Sequence, residues 1–262
     1  MTEAPRRAIR GRAFVWKRFD FRESSRVVAL LLREHGVVHA LAKGAHRADS
    51  PLLGRLDFLN ELDVQLSGDR GGLRLLLRAD LRRERRALRA PRRFAAAAYL
   101  VEACDFALPP DREDAQLFDL IDGGLVLLER CPAPAIASVL LGLELRLLAH
   151  LGALPDLDRC SACGADLARG AYRGAVVGAL ACRAHAAAPR RAIAAQALHC
   201  LRRLHELPGR QLPECTEPPP ATAVALPATW LAQALERRSR LRAAAFAPAP
   251  RTRRLPAVDS GA

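Results

Sequence analysis

The spacing of apolar residues changes period once along this chain, near Ala79, and that single change constrains the fold more than any other feature. Before it, short runs at residues 11–17, 25–33, 37–43, 59–66 and 73–79 are rich in Val, Leu and aromatic residues. In the fourth run Leu62, Val64 and Leu66 alternate with polar neighbours, the period-two mark of a half-buried strand. Glu34-His35-Gly36 and Ser67–Gly72 punctuate the runs as turns. Five short strands in so little chain point to a closed or sandwich-like β domain, with a five-stranded OB-type barrel the natural candidate beside an SH3-like one. After residue 79 the period becomes helical. Helices are expected over 94–108, 114–129, 135–151, 191–207 and 229–246, the third apolar nearly all round and therefore fully buried. The expected class is α+β and multidomain. It comprises an OB-type barrel over 1–80, a charged linker or exposed helical turn at 81–91, a helical domain over 92–246 and a disordered tail at 247–262.

Inside the helical part, Cys160, Cys163, Cys182 and His185 spell C-x2-C-x18-C-x2-H. Two knuckles of two ligands each, joined by a spacer of this length, are what a tetrahedral zinc site needs. Gly164 suits the tight turn after the first knuckle, and the glycine-rich spacer suits a zinc ribbon-like insertion at 159–186. Protein side chains fill all four positions, so one structural Zn2+ is expected, with no open place for a substrate water. The bland alternative is a set of reduced cysteines with a histidine nearby by chance. Cys104, Cys131, Cys200 and Cys215 stand apart, and His199 with Cys200 reads as part of an amphipathic helix. With no apolar run behind the basic N-terminus there is no secretory signal, so disulfides are not expected. No run reaches roughly 18 unbroken apolar residues, and a membrane span is not expected either.

Charge narrows the partner. The chain has 41 Lys plus Arg against 28 Asp plus Glu, a formal +13. Residues 1–90 carry 20 basic and 11 acidic residues, leaving only +4 for the remaining 172. A polyanion is the implied partner and the β domain its main holder. Lys17, Arg18, Arg22 and Arg26 gather around the first turn with Trp16, Phe19 and Phe21 interleaved, and Lys43, Arg47 and Arg55 follow the third strand. Cations that neutralise phosphates, beside aromatic faces that stack on bases, are the requirements of a single-strand groove. The competing reading is a solvated basic surface with the aromatics in the core. Phe14 and Trp16 cannot both face out with Val15 inward without exposing much apolar area.

Catalytic patterns are missing. There is no phosphate-binding G-x-x-x-x-G-K, no G-x-G-x-x-G, no H-E-x-x-H and no G-x-S-x-G. Asp111, Glu113 and Asp114 read as helix-start residues. Asp57, Glu61 and Asp63 read as a water-facing edge of a strand rather than a metal site. No acid–base pair stands out, so no enzyme is expected. A zinc-ribbon transcription or translation factor would share the knuckles and the charge, but would not need the all-leucine helix before them. A metal-dependent nuclease would need converging carboxylates.

The order of these parts resembles the RecO family of bacterial DNA repair proteins. FRESSRVVALLLREHGVVHALAKGAHR (Phe21 to Arg47) is similar to its N-terminal stretch, Tyr99-Leu100-Val101-Glu102 to the opening of its helical domain, and Leu140 to Cys163 to the segment entering its cysteine knuckles. The likeness spans about residues 11–185. It implies a recombination mediator that binds single- and double-stranded DNA and anneals complementary strands. It implies work with RecR to help RecA displace single-strand-binding protein, contact with that protein's acidic C-terminal tail, and a cytoplasmic, nucleoid-associated place. One departure is visible. The family's usual fourth cysteine is His185 here, a competent zinc ligand.

Overall fold

The computed structural model describes residues 8–68, 73–108, 113–188 and 191–247. Five strands, β1 (Ile9–Phe21), β2 (Ser25–Leu32), β3 (Gly36–Ala42), β4 (Glu61–Leu66) and β5 (Arg74–Arg83), close a barrel in the order β1-β2-β3-β5-β4. All pairings are antiparallel except β3 with β5. This is the Greek-key order of an OB barrel, closed here by β1 with β4, and the single parallel pair marks where the chain crosses over. Val28, Leu30, Ala40, Leu62 and Leu66 fill its interior by the expected alternation. The turn at 69–72 lies outside the described residues.

β1 is longer than its apolar run suggests because its register slips between Val15 and Lys17. The bulge lets one strand serve two surfaces. Phe14 and Trp16 point away from the barrel interior yet are buried, because the helical domain covers them. Phe14 meets Phe118 at 5.2 Å between ring centroids, and Trp16 donates its indole N–H to Asp105 at 2.7 Å. Covering a phenylalanine in this way contributes roughly 2–3 kcal/mol. The core of the helical domain therefore runs unbroken onto the outside of β1 and β2, through Ala29 and Leu31.

The helical domain is built from α1 (Pro91–Ala107), α2 (Ala115–Arg130), α3 (Ile136–His150), α4 (Ala195–Glu206), α5 (Ala221–Ala234) and α6 (Arg242–Ala245). Asp114 caps α2 by accepting from the Leu117 N–H at 2.8 Å, as its sequence position suggests; Asp111 lies outside the described residues. The α3 segment is apolar all round because α1, α2, α4 and α5 surround it. Ala133–His150 is long and apolar enough to cross a membrane by composition, but 67% of it is buried inside the protein, the mark of a central core helix. Gly124 of α2 permits this packing, since a methyl group there would lie 2.7 Å from Leu100.

Three expectations need correction. The stretch at 81–91 is not a free linker. It carries the end of β5, then a 3-10 turn at Arg86–Arg89 whose Leu88 is buried. Glu61 does not face water. It is buried where the two domains meet, 2.6 Å from Arg12 and 3.0 Å from Arg82. The last long helix begins at Ala221 rather than 229 and ends at Ala234, with Pro227 inside it. The chain then turns through Glu236 at φ +51°. There Glu102 of α1 accepts from the Ser239 hydroxyl and from the Leu241 N–H at 3.3 Å. Of the proposed tail, residues 248–262 lie outside the described residues.

Candidate nucleic-acid face and metal centre

The register of the barrel carries one apolar row from strand to strand. Phe19 stands opposite Val27, Val27 opposite Leu41, and Leu41 opposite Leu75, on β1, β2, β3 and β5. Their neighbours Val28, Ala40, Ala42 and Leu76 point into the barrel, so this row points out. No helix covers it. Phe19 is 57% exposed, and Leu77 further along β5 is 52% exposed. His39 lies on the same outer side of β3 and is also exposed. Sequence reasoning missed His39 because a single histidine in a strand carries no signal of which face it occupies.

Cations ring one end of this row. The β1–β2 turn and the loop after β3 are tied together: the His46 N–H donates to the Ser24 carbonyl at 3.0 Å, and the His46 ring meets Asp20 at 2.9 Å. Hydrogen bonds from Arg26 first, and from His46 second, hold the Asp20 carboxyl below its ordinary range. This tie brings Arg22, Lys43 and Arg47 to the same end of the barrel, all three exposed. Arg22, at φ +56°, sits over the Phe21 ring at 5.3 Å.

The seven cations singled out from the sequence divide into two groups. Lys17 pairs with Asp105 at 2.7 Å, Arg18 with Asp57, and Arg26 with Asp20 at 3.0 Å. Arg55 donates to the Ala79 carbonyl at 2.7 Å and lies 3.3 Å from Asp80. Among the described residues, Arg22, Lys43 and Arg47 face no carboxylate. These three hold positive charge available to an outside anion.

The second constellation lies on the ribbon. β6 (Ala171–Arg173) pairs with β7 (Leu180–Ala181) and with β8 (Ala192–Ile193), and the two knuckles flank this small sheet. The sulfur atoms of Cys160, Cys163 and Cys182 and a ring nitrogen of His185 all lie within 4.8 Å of one another. Cys163 Sγ is 3.9 Å from Cys182 Sγ, which is 3.3 Å from His185 Nδ1. Gly164 takes φ +70°, and its N–H donates to the Cys160 carbonyl at 2.8 Å, closing the first knuckle. Backbone amides, that of Cys182 foremost, pull the Cys160 thiol down, and the His185 amide does most to lower Cys182. The Ala165 amide also lowers Cys163, yet its sulfur neighbours outweigh it and push that thiol up. Three sulfurs so close cannot all ionise without a cation between them. The donor set of three thiolates and an imidazole fits a metal ion, and among the described residues it is the one cluster of His, Cys and carboxylate groups able to hold one. His199 and Cys200 stay on α4 and do not join it.

With barrel, bundle and cysteine cluster in place, comparison with known proteins decides the family. The model of the recombination protein O N-terminal domain matches residues 7–85, and that of the C-terminal domain matches residues 88–256. The chain belongs to the RecO family. Among similar curated proteins, the DNA repair protein RecO of Rhodopirellula baltica is 34% identical over 163 residues, covering 62% of this chain and 60% of that protein. RecO of Myxococcus xanthus is 35% identical over 153 residues, covering 58% and 62%. RecO of Cutibacterium acnes is 34% identical over 168 residues, covering 59% and 65%. The matched stretch thus spans about three fifths of the length of these RecO proteins.

Proposed function

We propose that this RecO-family chain is a recombination mediator rather than an enzyme. It binds single- and double-stranded DNA, anneals complementary strands and, with RecR, helps RecA replace single-strand-binding protein, whose acidic C-terminal tail it contacts. Its place is the cytoplasm, on the nucleoid. The observation that carries the DNA reading is the open outer face of the barrel: an uncovered row from Phe19 to Leu75 beside three cations without carboxylates. Bases stack on such a row while Arg22, Lys43 and Arg47 neutralise phosphates. Lys17, Arg18, Arg26 and Arg55 belong to the same interface, where their carboxylate partners fix their direction and a phosphate competes for their remaining donors.

One Zn2+ is held by Cys160, Cys163, Cys182 and His185, and its role is structural. A bound zinc ion would supply a fixed tetrahedral node for a ribbon whose own strands are two or three residues long.

The test is annealing of two labelled complementary oligonucleotides without nucleotide or added metal. Acceleration over the protein-free rate is expected. No acceleration at any salt concentration overturns the mediator reading, and cleavage of either strand points to a nuclease instead.

A further inference from the structure

Charge in the C-terminal part is concentrated in one place. Residues 159–191 carry six arginines against the single carboxylate of Asp166, a net +5, whereas the rest of residues 91–262 carry 15 basic and 16 acidic residues. The ribbon is thus more densely basic than the barrel, and the helical bundle between them is close to neutral. Arg159, Arg169, Arg173, Arg183 and Arg191 are all exposed, and among the described residues none of them pairs with a carboxylate. Arg190 lies outside the described residues.

Two of these arginines border one cleft. Ala171 pairs with Ile193 and Tyr172 with Ala192, and beyond them the Ala187 N–H donates to the Arg173 carbonyl at 2.9 Å, so the chain leaves the sheet edge between Ala187 and Ala192 and brings Arg191 to the mouth of the same cleft as Arg173. Both line a cleft of about 380 Å3 whose apolar side is Val177 of the ribbon with Leu226 and Trp230 of α5. A zinc ion with three thiolates and a neutral imidazole leaves only one negative charge nearby. Exposed cations so closely spaced along one small unit favour an extended anion lying across it.

We propose that the ribbon is a second nucleic-acid surface, which takes the phosphate backbone of a strand separate from the one on the barrel. An extended polyanion fits better than a compact one, because Arg159 and Arg169 flank the first knuckle, Arg183 follows β7, and Arg173 with Arg191 sit at the cleft. Such contacts read no sequence. Two strands on one chain, both held by backbone, is an arrangement suited to annealing. The inference rests on the DNA reading of the barrel but assigns a different set of residues.

The experiment counts strands per chain. Full-length protein is titrated with a labelled oligothymidylate of about 8 nucleotides, within the footprint of one OB barrel, and the complexes are weighed by native mass spectrometry. Wild type is expected to take two strands per chain. The ribbon variant Arg169→Gln, Arg173→Gln, Arg183→Gln, Arg191→Gln is expected to take one, with the remaining affinity within about twofold of the stronger wild-type site. The barrel variant Arg22→Gln, Lys43→Gln, Arg47→Gln is expected to weaken the other site instead. The smaller variant Arg173→Gln, Arg191→Gln removes two exposed side chains at the cleft, so it should keep its Tm and its metal content while weakening the second site at least several-fold. A single strand per wild-type chain, or two on the ribbon variant, overturns the proposal while leaving the barrel reading intact. Displacement from the ribbon by polyglutamate but not by oligonucleotide would assign the surface to an acidic protein and overturn it too. Loss of all binding, in wild type as well, would instead remove the DNA reading on which it stands.

Discussion

The two halves of β1 meet opposite fates, although their sequences look alike. Phe14 and Trp16 in the first half are sealed beneath α1 and α2, while Phe19 and Phe21 in the second half are open to water. The nearby charges divide in the same way. Arg85 is 1% exposed at its side chain and lies 2.8 Å from Glu129, 3.0 Å from Asp122 and 3.6 Å from Glu61. Arg12 reaches Glu61 and Asp122 at 2.6 Å each, and both arginines lie within about 5.4 Å of the Phe14 ring. At the other end Arg22, Lys43 and Arg47 have no such company. An arginine that meets carboxylates around a buried ring is part of the fold, and one that meets none beside an open ring is available to a ligand. Net charge alone cannot make that distinction, because both kinds add equally to it.

The sharpest way to break the contrast is at Arg85. Arg85→Ala removes the one fully buried cation shared by Glu61, Asp122 and Glu129, leaving Glu61 to Arg12 and Arg82 and Glu129 to Arg83 at the rim. A loss of about 3–5 kcal/mol is expected, on the order of 10 °C in Tm. Arg18→Ala, which removes an exposed partner of Asp57, should change stability by less than about 1 kcal/mol. Urea denaturation of both variants checks the pair, and equal losses would erase the distinction between the two halves.

The open half is probed through binding rather than stability. Phe19→Ala removes a side chain that touches little protein, so Tm should hold while single-strand affinity falls by about 1–3 kcal/mol, roughly 5- to 150-fold. Fluorescence anisotropy with an oligothymidylate measures it. Unchanged affinity would return Phe19 to an ordinary exposed apolar residue. A smaller effect is expected at Lys43→Ala with Arg47→Ala. If each cation meets one phosphate, the plot of log affinity against log salt should flatten by about 0.7 per residue removed. An unaltered slope would mean that neither side chain meets a phosphate in the complex.

These contrasts also show what the sequence could reveal. Alternation in the strands, the all-round leucines of α3 and the knuckle spacing are local patterns, and a local pattern survives whatever the tertiary structure does. The fate of Arg85 is different. It sits in the run LRRERRALR, and its burial depends on Glu61, Asp122 and Glu129, none of them near it in sequence. Helix α5 was hidden by Pro227, which usually marks a boundary. Its early end depends on Glu102, more than a hundred residues upstream, holding the Ser239–Leu241 turn. The motif residues Tyr99 and Glu102 gain a physical role in the same way. Tyr99 donates to the buried Glu144, whose carboxyl burial pushes up even though Arg242 binds it at 2.7 and 2.8 Å. Together they fasten the C-terminal segment to the bundle. In the ribbon the ligands announce themselves by spacing, but the cleft that Arg173 and Arg191 share with Trp230 of α5 appears only once the chain is folded.

The smallest expected effect lies at the edge of the covered half, where Arg33, just beyond β2, reaches Asp119 of α2 through two hydrogen bonds of 2.9 Å. The hydrogen bond from Arg33, more than the opposing desolvation, holds the Asp119 carboxyl below its ordinary range. A carboxylate held low in the folded state stabilises it at pH values above its unfolded pKa, and this contribution disappears as the pH falls through the folded value. Both side chains are about half exposed, so the pair contributes little at neutral pH. Asp119→Asn should lower Tm by no more than about 2 °C at pH 7, and the two melting curves should converge as the buffer is taken to pH 3. A difference that persists in acid would show that Asp119 supports the junction through its shape or its hydrogen bonds rather than its charge. Electrostatic attachment of barrel to bundle would then rest on the buried Arg85 network and on Lys17 with Asp105.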